Sequence, residues 1–176
     1  MSLTCSSCSK VIETLPLKCA YSINVNSETN QWECYMEECG YFSINEFVCE
    51  NCCTNRNIMK INKMFERLSI KSEEFKEELS FFKKNIVQIN ISNSDLNFWV
   101  EFGNGIYRSG KGIKDNPSIV VSCPQKTMYQ ILKGNLEPFS EFLIGDLNIQ
   151  GDVQYAVVYF DLIKLGLKIN KELGGV

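Results

Sequence analysis

The sequence predicts an α+β protein in which helices cover one face of a mainly antiparallel five-stranded sheet, preceded by a small cysteine-rich module. Three observations predict this. Eight of the nine cysteines lie in the first 53 residues. Alternation of apolar and polar residues over 86–123 is typical of strands joined by turns. The order that follows, with helices, one more strand and a final helix, is that of a layered α+β domain.

Length and composition limit the possible classes. A chain of 176 residues can hold one ordinary domain or two small ones. The 44% apolar and 22% charged content is typical of a globular protein, and the net charge of −3 predicts no general attraction to nucleic acid or anionic membrane. We find no 18-residue apolar run and no export signal, so we expect a cytoplasmic protein without a membrane span.

Residues 1–56 form the cysteine-rich module. Alternation over 17–25 and again over 31–36, with a polar turn between, predicts a β-hairpin. A Cys-x-x-Cys pair opens the module at Cys5 and Cys8, and another closes it at Cys49 and Cys52, just before a helical pattern. So short a segment lacks an independent core and requires cross-links.

Zinc is the cross-link that the cysteine spacing favours, because disulfides are typical of exported chains. Two Cys-x-x-Cys pairs on either side of a hairpin, the second at a helix start, look like a treble-clef zinc finger. We therefore expect a first site at Cys5, Cys8, Cys49 and Cys52. A second site is possible at Cys19, Cys34, Cys39 and Cys53, although Cys19 and Cys53 could equally be small buried thiols. A redox pair or an iron–sulfur cluster is less favoured.

The charge of the module bears on its partner. Up to residue 60, four basic residues stand against seven acidic ones, which gives −3. Zinc modules that hold nucleic acid are normally basic. We therefore expect a protein partner, or none, for this module.

A helical connector is predicted over 57–84. Its apolar seam, interrupted once by a polar residue, consists of Ile61, Phe65, Leu68, Ser72, Phe75, Leu79 and Phe82. Their spacing of four and three alternately is a heptad pattern. The seam could pack on the sheet of the following domain, which we favour, or form a dimer. Ser72 could also cap a second helix.

The strands of the sheet are predicted at 86–91, 96–102, 106–113 and 118–123. The third is rich in glycine and is therefore expected to be bulged or at an edge. The fourth is apolar on both faces, which indicates a central position. A short helix follows over 126–133.

The last third begins with an apolar helical turn that ends at Gly145, where a left-handed conformation can stop a helix. A short strand at 147–150 and a turn follow, and Asp152 is a good N-cap for the last helix. That helix is apolar on two faces, so it must be buried on more than one side, against a sheet and against a second helix or an apolar ligand.

The motif Gly145-Asp146-Leu147-Asn148-Ile149-Gln150-Gly151-Asp152, with helices on both sides, resembles the sterol carrier protein 2 (SCP-2) family. The resemblance covers about 85–176, and Asp146 stands where the family usually has lysine. It implies an SCP-2-like fold with a lipid-binding domain at 85–176, and an apolar tunnel for a fatty acyl chain, acyl-CoA or sterol-like ligand.

Apolar residues of the predicted sheet and helices are the candidates for lining such a tunnel, which the resemblance favours over the alternative that they fill a dry core. These candidates are Phe98, Val100, Phe102, Met128, Ile131, Phe139, Phe142, Leu143, Val157 and Phe160. Lys164, on the last helix, is expected to face solvent.

Catalytic residues are not apparent in the sequence. The chain has no histidine, Asp146 and Asp152 are expected to be turn and cap residues, and Cys123 a buried thiol. The sequence thus predicts no enzyme but an intracellular lipid carrier with a zinc-stabilised adaptor. The alternative is a lipid-sensing regulator whose zinc module binds protein or nucleic acid. The chain would be a monomer, or a dimer through the helix at 61–82, with at most transient membrane contact.

Overall fold

The computed structural model describes the chain at residues 3–12, 23–26, 31–34, 41–42 and 47–174. Contacts between Cα atoms divide the chain into two units, Met1–Arg56 and Asn57–Val176.

The described part of the first unit contains three short antiparallel strand pairs. They are β1 (Leu3–Thr4) with β2 (Val11–Ile12), β3 (Ile23–Asn26) with β4 (Gln31–Cys34), and β5 (Tyr41–Phe42) with β6 (Phe47–Val48). In the β3–β4 pair Ile23 lies opposite Cys34 and Asn26 opposite Gln31, so the predicted hairpin is present over these residues.

Two helices follow, α1 (Glu50–Lys71) and α2 (Glu73–Ser80). Ser72 separates them in an extended conformation, and its hydroxyl accepts a hydrogen bond from the Phe75 backbone N–H at 3.2 Å. This is the N-cap that was predicted as one of two possibilities at this position.

The five-stranded sheet confirms the predicted fold class. Its strands are β7 (Asn85–Ile91), β8 (Asn97–Gly103), β9 (Ile106–Lys111), β10 (Ile119–Cys123) and β11 (Asn148–Gly151). Their order in the sheet is β11-β10-β7-β8-β9, and all pairs are antiparallel except β10 with β7. The glycine-rich strand β9 lies at an edge, and β10 lies inside the sheet.

Three helices complete the second unit, α3 (Gln125–Leu132), α4 (Pro138–Ile144) and α5 (Val153–Glu172). Gly145 ends α4 with a φ of +89°, a conformation that glycine adopts without strain. The Asp152 carboxylate accepts a hydrogen bond from the Gln154 N–H at 2.9 Å and so caps α5. Both local predictions are confirmed.

A single apolar core joins the sheet to the helices of this unit. Phe65 and Leu68 of α1 and Phe75 and Leu79 of α2 are fully buried in it. The heptad seam is therefore largely covered within the chain itself. Among the described residues, no helix is both long and apolar enough to cross a membrane.

Candidate functional site

Four cysteines of the first unit come together. The Sγ atoms of Cys5, Cys8, Cys49 and Cys52 all lie within 4.8 Å of one another, and those of Cys8 and Cys49 are 3.7 Å apart. A tetrahedral zinc ion with Zn–S bonds of 2.3 Å would separate its sulfur ligands by about 3.8 Å. The four thiols therefore lie close enough to hold a metal ion, as the spacing of the two Cys-x-x-Cys pairs predicted.

Local backbone geometry places these thiols. The first pair lies in a tight turn between β1 and β2, in which the Cys5 N–H donates to the Lys10 carbonyl at 2.9 Å and Ser9 has a φ of +58°. The second pair lies at the start of α1. The Cys49 N–H donates to the Cys5 sulfur at 3.3 Å, and this bond joins the two pairs directly.

The thiols differ in how readily they ionise. Burial raises the pKa of Cys5, but hydrogen bonds from backbone N–H groups, chiefly that of Cys49, lower it to about 6 overall. Burial raises the pKa of Cys49 and of Cys52, and the neighbouring thiols add to the increase at Cys52. One thiolate forms easily, whereas four such close thiolates require a cation to offset their repulsion.

The residues of the predicted second metal site are described only in part. Cys19 and Cys39 lie outside the described residues, as does the side chain of Cys34. Cys53 is half-buried and packs beside the small apolar cluster that contains Cys5 and Cys49. The second site stays a prediction.

The ten predicted lipid-contacting residues do not share one environment. Six of them are buried in the core, namely Phe98, Val100, Phe102, Met128, Ile131 and Phe160. Phe139 is half-buried, and its ring meets that of Phe160 edge-on with centroids 6.1 Å apart.

Phe142, Leu143 and Val157 are exposed, in contrast to the predicted position between sheet and helices. The seven-residue helix α4 packs on the core through Pro138 and Phe139, at its start. Its last turn carries Leu143, which is 83% exposed. A helix of only two turns cannot direct apolar residues spread around its circumference into one core, which accounts for Phe142 and Leu143. Val157 belongs to the longer helix α5, where it lies on the exposed side with Val153 and Asp161.

A surface pocket of about 470 Å³ lies where the end of α3, the segment before α4 and the middle of α5 meet. Its lining consists of Ile131, Gly134, Asn135, Leu136, Glu137, Pro138, Phe160, Ile163 and Lys164. We call it the α3–α5 pocket. Its size falls within the range of about 300–1,000 Å³ that is typical of small-molecule sites.

Of the predicted residues, Ile131 and Phe160 line this pocket. Sequence reasoning missed Leu136 and Ile163 as lining residues. Lys164 is exposed, as predicted, but it also lies at the edge of the pocket, where its Nζ is 2.9 Å from Glu137 Oε2. The apolar period of α5 could have indicated Ile163, but no sequence signal relates Glu137 to a residue 27 positions later.

A neighbouring pocket of about 490 Å³ shares Asn135 and Leu136 with the first. The rest of its lining is mainly polar and includes Lys126, Glu141 and Asp146. Of the two pockets, only the α3–α5 pocket has buried core residues in its lining, namely Ile131, Phe160 and Ile163, and on that ground it is the candidate for an apolar ligand.

The fold, with its apolar core under five strands, and the motif from Gly145 to Asp152 point to one family. The sequence matches the SCP-2 sterol transfer family over residues 61–164, which is more than half of the chain. The chain belongs to this family. None of the curated proteins compared with it matches significantly in sequence.

Solved structures of similar fold include the sterol carrier protein domain 2 of Helicoverpa armigera, with 17% identity and a TM-score of 0.49, covering 64% of this chain and 89% of that one. A crystal structure of sterol carrier protein 2 has 17% identity and a TM-score of 0.48; the match covers 61% of this chain and 94% of that one. The inverting sec-alkylsulfatase Pisa1 from Pseudomonas sp. has 15% identity and a TM-score of 0.45, covering 49% of this chain. The chain matches only 14% of the length of that alkylsulfatase.

Proposed function

We propose that the chain is a lipid carrier that binds one long apolar ligand in the α3–α5 pocket without catalysis, and that zinc stabilises its cysteine-rich module. Membership of the SCP-2 sterol transfer family is the observation that carries the lipid part of this proposal. The pocket supports it, because Ile131, Phe160 and Ile163 offer an apolar floor at the surface of the core.

Burial of the ligand chain would drive binding. Each CH₂ group removed from water contributes about 0.8 kcal/mol, so each added carbon should tighten binding about fourfold until the pocket is full. Displacement of a fluorescent fatty acid by a series of ligands from 8 to 18 carbons would measure this. If none of these ligands bound below about 100 µM, the lipid part of the proposal would be wrong.

Two matched variants test the location of the ligand. Leu136→Asp places a charge on the pocket wall at a half-buried position, and an unpaired charge in an apolar site is strongly disfavoured. Leu173→Asp places the same charge at an exposed position after α5. Binding should be lost in the first variant and kept in the second. Equal binding by both would place the ligand elsewhere.

Zinc suits the cysteine cluster because four thiolates form the closed tetrahedral site that structural zinc prefers. With all four positions filled by protein, such a site has none open for a substrate, so the metal would stabilise the fold and take no part in chemistry. Structural zinc contributes about 10–16 kcal/mol in comparable small modules. Reduced thiols are needed to hold it, which fits a cytoplasmic location.

Native mass spectrometry of reduced protein would report metal and lipid together. We expect at least one zinc ion per chain and its loss in Cys52→Ser. The control Cys123→Ser changes a thiol far from the cluster in sequence and should keep the metal. Less than one zinc per wild-type chain would contradict the zinc part of the proposal and leave the lipid part standing.

A further inference from the structure

Three charged side chains lie together at the edge of the α3–α5 pocket, and we call this edge its mouth: Glu137 and Lys164 belong to the lining, and Asp161, which does not, lies three residues before Lys164 on α5. Lys164 Nζ lies 3.0 Å from Glu137 Oε1 and 2.9 Å from Oε2, and 3.9 Å from Asp161 Oδ1. Among the pocket's lining residues Lys164 is the only cation and Glu137 the only acid, so the negative excess of the group comes from Asp161. One ammonium group thus lies near two carboxylates; Lys164 and Glu137 are about half-exposed, and the Asp161 side chain is 64% exposed.

We propose that this group of two carboxylates and one ammonium makes the protein select apolar lipids with an uncharged hydroxyl head over carboxylates of the same chain length. The inference rests on the proposed lipid-binding function and assigns the specificity to Glu137, with Asp161 in a supporting role.

Hydrogen-bonding capacity distinguishes the two kinds of head group. A carboxylate accepts hydrogen bonds only, whereas a hydroxyl both donates and accepts. At the mouth, an alcohol can donate to Glu137 while it accepts from the ammonium of Lys164. The existing ion pair can therefore stay in place while the ligand binds.

A fatty carboxylate meets a less favourable arrangement. It cannot donate to Glu137, so it must compete with Glu137 for Lys164 and then lie beside Asp161 as a third negative charge. Like charges repel at such distances, although solvent screens half-exposed groups strongly. The preference for the alcohol should therefore be modest and should decrease as salt is added.

Hexadecan-1-ol and hexadecanoate are a matched pair of probes, because they differ only in the head group. Their affinities for the full chain can be compared by displacement of one fluorescent lipid at pH 8, at low salt and in 0.5 M salt. We expect the alcohol to bind about three- to tenfold more tightly at low salt, as two screened charge contacts would give, and less so in high salt.

The variant Glu137→Gln tests the residue directly. It removes the negative charge and keeps the shape, so hexadecanoate should bind at least about threefold more tightly, and the ratio of the two affinities should approach one. The control Glu172→Gln changes a similarly exposed acid near the far end of α5, where it is 3.9 Å from Lys168. It should leave the ratio unchanged.

The outcomes separate this inference from the function on which it rests. Equal or tighter binding of hexadecanoate by the wild type would overturn the inference and leave lipid binding intact. A preference for the alcohol that Glu137→Gln does not reduce would also overturn it. If neither probe bound, the proposed lipid function would fail together with the inference.

Discussion

Gly166, in the C-terminal half of α5, lies so close to the Phe65 ring of α1 and the Phe75 ring of α2 that the effect of replacing it by alanine can be estimated. A Cβ atom at this position would lie 2.6 Å from both Cδ1 and Cε1 of Phe65 and 3.3 Å from Cε2 of Phe75. Carbon atoms normally approach no closer than about 3.5 Å. The Phe65 ring is fully buried, and its centroid is 5.6 Å from that of Tyr107, so the ring has little room to move away.

The size of the effect follows from two opposing terms. Overpacking of a well-packed core costs about 1–3 kcal/mol. Alanine gains about 1 kcal/mol over glycine in a helix interior. Because the Phe65 ring is held on two sides, we take the upper part of the first range and expect Gly166→Ala to lose about 1–2 kcal/mol net. For a protein of this size Tm would fall by about 2–8 °C.

Urea denaturation of four proteins would measure the loss of stability in Gly166→Ala and test whether the contact with the Phe65 ring causes it. Besides wild type and Gly166→Ala, the set includes Phe65→Leu, which removes the ring, and the double variant. Since alanine no longer meets a ring in the double variant, its loss of stability should be smaller than the sum of the two single losses by about 1 kcal/mol. If Gly166→Ala were as stable as wild type or more stable, the reasoning about the close contact would be refuted.

Three further predictions concern groups whose environment the structure defines. Burial raises the pKa of Glu101, but hydrogen bonds from Lys114 and Lys84 outweigh this, so its pKa in the folded state is lower than in the unfolded state. The ionised Glu101 therefore stabilises the fold above its unfolded-state pKa of about 4.3, and this stabilisation is lost as the pH falls through its folded-state pKa. Glu101→Gln should therefore flatten the loss of stability below about pH 4 in acid denaturation, and an unchanged slope would contradict this. Cys123 is buried, and burial raises its pKa to about 12. A thiol reagent at pH 8 should therefore modify Cys123 only after denaturation. Modification of Cys123 in the native protein, mapped by mass spectrometry, would count against this prediction. Ser72→Ala should lower the free energy of unfolding in urea by about 1 kcal/mol, because the N-cap of α2 is lost. Ser72→Asp, which can still cap the helix, should keep most of the wild-type stability; equal losses in the two variants would exclude the cap as the cause.

The features that the sequence predicted well are those that local chemistry determines. Gly145 ends a helix and Asp152 begins one because a few neighbouring residues decide each boundary. The Cys-x-x-Cys pairs belong to the same kind of signal. Each pair sits in its own tight turn or first helical turn, so only the meeting of the two pairs depended on the fold.

Features that depend on contacts between residues far apart in the chain were harder to predict from the sequence. The prediction that β9 would be bulged or at an edge relied on its glycines. The structure gives Gly110 a different role, because a Cβ there would lie 2.5 Å from Cζ2 of Trp99 on the adjacent strand. The glycine is needed to make room for an indole ring, and no pattern within β9 contains that information. The parallel pairing of β10 with β7 is likewise a property of the whole sheet.

The two apolar faces of α5 led to the expectation of either a helix or a ligand beside it. The structure has a helical partner beside one part of α5 and a surface pocket beside another. Toward its C-terminal half, Gly166 lies against Phe65 and Phe75, so α1 and α2 supply the second helical partner there. Near its middle, Phe160 and Ile163 instead form the floor of the α3–α5 pocket. Because Phe65 and Phe75 cover α5 at Gly166, a ligand in the α3–α5 pocket would contact this helix at Phe160 and Ile163 instead. The ion pair of Lys164 with Glu137 stands at that pocket, and this is why head-group chemistry, as well as chain length, should decide what the protein binds.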